Sequence, residues 1–169
     1  ADFPFLKASD SAIAKAIETC NREGGGRVHV PPGVFLTGAI HLRSKVNLFL
    51  AKGAVLRFST DPAKYLPAVF TRWEGVECMN YSALIYAYEQ ENIAVTGDGI
   101  LDGQASRENW WRWKGGDPSC DQKEGRKRLF EMGERGVPAA GRVFGDGAYL
   151  RPNFFQPYKC RNVLVQGVT

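Results

Sequence analysis

Two aspartates, Asp98 and Asp102, stand four residues apart among three glycines in GDGILDG (97–103). Paired carboxyls suit acid–base hydrolysis, in which one protonates a leaving oxygen and the other activates water or attacks. The same stretch echoes one copy of a calcium-binding nonapeptide, but that site needs tandem copies and there is one. The glycines predict tight turns with positive φ, a conformation that Asp itself tolerates. Asp98 and Asp102 therefore read as corners of a repetitive scaffold. A substrate contact is the second reading and catalysis the third.

Other chemistries find less support. His29 and His41 alternate with apolar residues in VHV and IHL, which places them outward or at the edge of a core. No GxSxG elbow or cysteine motif offers either imidazole a nucleophile. Cys20, Cys78, Cys120 and Cys160 form no CxxC or CxxH pair, so no zinc knuckle or thioredoxin-like motif is expected. EGGGRV lies between a helix and a strand, the reverse of the order that sets phosphate on a helix N-terminus. It reads as a helix stop. No metal site and no cofactor is expected.

Two aromatic and charged segments suit a sugar better. TRWEGVE (71–77) supplies Arg72, Trp73 and Glu74, and RENWWRWKG (107–115) supplies Asn109, Trp110, Trp111 and Trp113. Tryptophan faces match the apolar C–H faces of a sugar, while arginine adds forked contacts to any carboxylate it carries. These tryptophans would equally well pin a loop onto its scaffold. Trp110 and Trp111 are adjacent, so their side chains should diverge. Arg151 in YLRPNFFQ (149–156) precedes proline and so sits in extended backbone, reaching a cleft or pairing with a loop acid. These eight residues are the binding candidates, and none is a catalytic candidate.

The elements that hold them begin with a helix over 10–22. Ile13, Ala16, Ile17 and Cys20 share one face, Ser9 or Asp10 serves as N-cap, and GGG at 24–26 stops it. Very short apolar runs follow: Val28/Val30, Ile40/Leu42, Val46/Leu48/Leu50 and Val55/Phe58, separated by turn residues. Strands this short suit stacked coils rather than a sandwich. ENIAVTG (91–97) and RNVLVQG (161–167) repeat one frame, and KVNLFLAKG (45–53) is a looser copy. An Asn at such a turn is expected to bond the backbone one coil away. This predicts an all-β solenoid with a helical cap at 1–26, first coils at 27–58 and further coils at 83–103 and 151–169. Segments 59–82 and 104–150 read as long loop insertions, the second with a short helix in DQKEGRKRLFEMGERG.

The chain has 169 residues and a net charge of +4 with both signs interleaved. No stripe of basic residues with aromatics argues for nucleic acid, and no apolar run suffices to span a bilayer.

The segments GGGRVHVPPGVFLTGAIHLRSKVNLFLAKGAVLRFSTDPAKY, TRWEGVECMNYSALIYAYEQENIAVTGDGILDGQ, ENWWRWKG and YLRPNFFQPYKCRNVLVQGVT resemble, in that order, the N-terminal half of glycoside hydrolase family 28. These are the polygalacturonases and their rhamnogalacturonan-cleaving relatives, and the match runs from about Ala12 to Thr169. The resemblance implies a right-handed parallel β-helix with an N-terminal helical cap. It also implies hydrolysis of galacturonosyl linkages in pectin with inversion, by an enzyme that is secreted or periplasmic. Its catalytic signatures, Asn-Thr-Asp, Asp-Asp, Gly-His-Gly and Arg-Ile-Lys, do not occur here, and Ser59-Thr60-Asp61 is the nearest echo. No catalytic residue is carried over. The chain is thus expected to be the N-terminal part of such an enzyme, inactive alone and prone to self-associate through its last coil. Its expected partners are pectic polysaccharide or oligogalacturonide and the remainder of the β-helix. A non-catalytic carbohydrate-binding β-helix is the alternative, and a lyase is disfavoured because acids do not cluster in the coils.

Overall fold

The computed structural model describes Lys7, Ala8 and residues 10–169. In chain order the elements are β1 (Lys7–Ala8), α1 (Asp10–Arg22), β2 (Gly26–Val30), β3 (Gly33–Thr37), β4 (Ile40–His41), β5 (Val46–Leu50), β6 (Ala54–Phe58), β7 (Val69–Trp73), β8 (Val76–Asn80), β9 (Ile85–Tyr88), β10 (Glu91–Gly97), β11 (Ile100–Asp102), α2 (Lys123–Glu134), β12 (Phe155–Tyr158) and β13 (Arg161–Gln166). They fall into two compact units. One takes the chain up to Ser59 with Ile85–Gly103 and Phe155–Thr169, the other Thr60–Leu84 with Gln104–Phe154.

The first unit holds three parallel sheets, ordered β1-β3-β6-β11, β13-β10-β5-β2 and β12-β9-β4. The chain visits them in rotation, so each strand hydrogen-bonds to its counterpart from the previous round. The register is strict: Val28 aligns with Leu48, Leu48 with Val95 and Val95 with Val165. Alternation by twos sends one set of side chains inward. Val46, Leu48, Leu50, Ala54, Leu56, Phe58, Ile85 and Val95 lose all solvent exposure, and Ile93 nearly all. The strand 54–58 corrects one detail of the sequence reading, because Ala54, Leu56 and Phe58 face inward and Val55 does not. β3 escapes the sequence pattern altogether, since Val34, Phe35 and Leu36 form a continuous run without alternation.

The repeated frame has its origin in a corner. Asn92 and Asn162 hold left-handed backbone, with φ of 55° and 52°. Register places Lys45 and then Gly25 at the same point of earlier rounds, with φ of 63° and 104°. The chain must turn in this way at the head of every strand in that sheet, and Asn and Gly tolerate it best. The asparagine bond differs from expectation. Asn162 Nδ2 donates to Asn92 Oδ1 at 2.9 Å, side chain to side chain, rather than to backbone.

α1 buries Ile13 and Ile17, while Cys20 is half-buried and Ala16 faces solvent, so the apolar face is narrower than its sequence suggests. Asp10 is its first residue, and Ser9, the other cap candidate, lies outside the described residues. The helix closes where Gly25 N donates to Cys20 O at 2.9 Å.

The second unit, read from sequence as two loop insertions, has its own secondary structure. β7 and β8 form an antiparallel hairpin with Glu74 and Gly75 at its tip, φ of 42° and 93°. Its inward residues are Thr71, Trp73, Cys78 and Asn80. Two of these four are polar, which hides the strand periodicity. Trp73, Cys78, Leu129, Phe144, Ala148 and Leu150 form a core, so α2 docks through Leu129.

Gly97 shows how tight the stacking is. Its φ is 117°, and a side chain there would collide with the carbonyl oxygen of Leu50 in the neighbouring strand. Gly97→Ala is expected to cost roughly 3 kcal/mol in urea denaturation, since strain and collision add. Gly24→Ala, also left-handed but with nothing near, should cost about 1 kcal/mol.

Candidate functional site

All eight candidate binding residues fall in the second unit. Three elements present them: the β7–β8 tip carries Arg72, Trp73 and Glu74, a 3-10 helix at Trp110–Lys114 carries Trp110, Trp111 and Trp113 with Asn109 as its cap, and Arg151 lies in irregular chain after Leu150. The segment 149–151 links the other two. Tyr149 lies edge-on to Trp113 at 5.3 Å between centroids, and Trp73 Nε1 donates to Arg151 O at 3.1 Å.

The tryptophans separate by burial. Trp110 and Trp113 are 7% and 6% exposed, and Trp73 is 7%. Trp110 and Trp113 meet edge to face at 5.1 Å, Tyr65 abuts Trp110 and Tyr81 abuts Trp113. This aromatic cluster is packing, so Trp73, Trp110 and Trp113 have no open face for a sugar. Trp111 is 53% exposed and points away from its neighbour. A 3-10 turn sends adjacent side chains in different directions, which is why the pair diverges.

Asn109 is occupied by its own turn. Its Oδ1 accepts from Trp110 N and from Ser106 N, and its Nδ2 donates to Gln104 O at 2.9 Å. It caps the 3-10 helix and has little capacity left for a ligand. At the hairpin tip, Arg72 Nε donates to Gly75 O at 3.0 Å and Glu74 Oε2 accepts from Arg126 Nε at 2.7 Å. Both residues are exposed, so a ligand can compete with these bonds.

Sequence reasoning passes over three residues that the fold makes important. Arg112 is held by Asp117 at 2.8 Å and by Cys120 Sγ at 3.0 Å. Asn80 is 1% exposed and donates to Leu150 O, and Gln122 is 7% exposed. Oδ1 of Asn80, Oε1 of Gln122, Nε1 of Trp110 and Nε of Arg151 are buried without a hydrogen-bond partner. No local pattern flags Arg112, Asn80 or Gln122, because each is defined by what packs around it.

In the first unit the aspartate pair comes apart. Asp98 is exposed at a bend, with its backbone N–H donating to Leu50 O at 3.0 Å. Asp102 is not a corner residue but part of β11, and it accepts from Arg57 Nε at 2.9 Å across the sheet. The register makes them cross-strand partners, so the two charges neutralise each other on an outward face. His29 and His41 are likewise exposed and lie beside Phe49 and Tyr86. Burial pushes the Cys78 thiol up to about 11, with Arg142 opposing, so it is no nucleophile near neutral pH. Among the described residues no three of His, Cys, Asp and Glu gather as a metal site.

No protein-family profile matches the chain. It is 31% identical over 172 aligned residues to a probable polygalacturonase of Vitis vinifera, covering 96% of this chain and 33% of that protein. The crystal structure of a hyperthermoactive exopolygalacturonase from Thermotoga maritima matches with a TM-score of 0.92 and 51% identity, over 96% of this chain and 37% of that one. A family 28 exopolygalacturonase of Yersinia enterocolitica shares the fold, with a TM-score of 0.62 at 23% identity over 96% of this chain and 31% of that one. The chain thus spans about a third of the length of each of these three relatives.

Burial separates the tryptophans energetically as well. Trp113→Ala should destabilise the protein by about 3–5 kcal/mol. Trp111→Ala should stay within about 0.5 kcal/mol, both measured by chemical denaturation.

Proposed function

We propose that this chain, which belongs to glycoside hydrolase family 28, forms the capped first coils of a right-handed parallel β-helix in a pectin-degrading enzyme. The observation that carries this reading is 51% identity at a TM-score of 0.92 to an exopolygalacturonase, sustained over 96% of the chain. The whole enzyme would hydrolyse galacturonosyl linkages with inversion, using an acid and a base-assisted water on opposite faces of the sugar. Because pectin is a large polymer, the encounter takes place outside the cytoplasm, in a secreted or periplasmic setting.

Within that enzyme these residues bind rather than cleave. Asp102 is committed to Arg57, and Asp98 stands apart from it, exposed at a bend. The second unit offers the sugar an open tryptophan, Trp111, with exposed Arg72 and Glu74 at the hairpin tip. The exopolygalacturonase relative favours action at a chain end for the whole enzyme.

Titration of the purified chain with oligogalacturonides should shift its tryptophan fluorescence, and Trp111→Ala should remove that response while leaving the far-ultraviolet circular dichroism intact. No reducing ends should be released from polygalacturonate. Absence of any fluorescence response at millimolar ligand would overturn the binding role, and release of reducing ends would overturn the non-catalytic one.

A further inference from the structure

We propose that the open groove beside α2 is a receptor for the carboxylate of an acidic sugar, with Arg128 as its anion-binding group. The choice of sugar rests on the galacturonan reading above. The need for an anion comes from the groove itself.

α2 has two adjacent faces. Gly125 and Leu129 are buried, while Glu124, Lys127, Arg128 and Glu131 follow the i, i+3, i+4, i+7 spacing of one exposed face. Gly125 permits a close seat for the helix, because a side chain there would collide with the carbonyl oxygen of Ala148. The four charged residues on one side and Gly147 with Ala148 on the other line a groove of about 360 Å³. That volume falls in the range of small-ligand sites, about 300–1,000 Å³. Gly147 has no atom near the place where a side chain would stand, so the groove stays open on that side.

The charges do not cancel within the groove. Glu124 and Arg128 have the i, i+4 order that favours an ion pair, acid first. They form none, and the Arg128 guanidinium instead lies over the ring of Phe144, 4.7 Å from its centroid. Phe144 is 6% exposed and belongs to the same core as Leu129, so this platform is fixed. A cation–π contact holds the guanidinium without giving it an oxygen acceptor, and its fork stays ready for a carboxylate, which takes two parallel N–H bonds. Neighbouring arginines are differently placed: Arg126 holds Glu74 at 2.7 Å, and Arg142 bonds the carbonyls of Val137 and Glu77. Lys127 supplies a second cation, held loosely with its Nζ 3.9 Å from Glu131 Oε1. Glu124 and Glu131 repel a simple anion. A uronic acid brings a carboxylate to Arg128 and hydroxyl donors that answer the two acids, so the groove selects it over both a neutral sugar and an inorganic anion.

The test follows the Arg128 Nε–Hε resonance of the ¹⁵N-labelled full chain during titration with trigalacturonate, neutral galactotriose or sodium sulfate at matched ionic strength. Trigalacturonate should move that resonance, and galactotriose and sulfate should leave it in place. Arg128→Gln should weaken trigalacturonate binding about tenfold, as expected for a lost charge-assisted pair. Arg22→Gln removes the same charge from an exposed position of the first unit and should leave the affinity unchanged. Arg128→Lys keeps the charge but not the fork, so it should recover only part of the loss. Melting curves identify any variant that fails to fold, and the wild-type resonance tests the assignment without a variant. If trigalacturonate moves the Trp111 indole but leaves Arg128 Nε–Hε in place, the Arg128 assignment is overturned and the galacturonan reading survives. A static Trp111 and a static Arg128 overturn both. Sulfate that moves Arg128 as far as trigalacturonate does also overturns the assignment, as does an Arg128→Gln chain that binds as tightly as wild type.

Discussion

Parallel strands stacked in register, each bonded to the strand of the previous round, constrain the first unit more than any other interaction. Each backbone group finds its partner one strand away, so successive rounds must keep the same inward positions. That requirement aligns Val28, Leu48, Val95 and Val165 in one column. It also forces the left-handed corner that Gly25, Lys45, Asn92 and Asn162 share. At Gly97 the strands leave no room for a side chain.

The same constraint fixes where charge can sit. Inward positions are closed to it, so polar residues occupy the outward half of each strand and pair with neighbours in register. Arg57 with Asp102 is such a pair, and Thr96 reaches diagonally to Asn47 on the adjacent strand. A carboxylate on this face is therefore a partner before it is a reagent. An exposed or half-exposed ion pair contributes little stability, about 1 kcal/mol or less, but it does occupy the groups involved.

The second unit is free of that repetition and has an irregular core of its own. Its aromatic cluster of Tyr65, Tyr81, Trp110, Trp113 and Tyr149 is held by edge-on and tilted ring contacts rather than by strand register. Irregular packing leaves some polar atoms short of partners, and buried groups in that state mark positions suited to ligands or internal water. Oδ1 of Asn80 and Nε of Arg151 are two such atoms, each beside a secured backbone contact.

Local pattern was enough for the features whose cause is local. The helix over 10–22 and its glycine stop follow from spacing and backbone freedom, and the frame shared by 91–97 and 161–167 from a corner that favours Asn. Where the cause lies in a distant partner, the chain written as letters was silent. The hairpin was invisible because Thr71 and Asn80 are polar at inward positions, and β3 because its apolar residues do not alternate. Asp102 carried the spacing of a corner or an active site, and pairing with Arg57, forty-five residues earlier, made it a strand residue in an ion pair. Sequence alone determined that aromatic and basic residues gather in two segments. Tertiary structure decided that Trp110 and Trp113 are core, that Trp111 is open and that Arg151 lacks an acceptor, because burial is a property of neighbours that no residue type encodes.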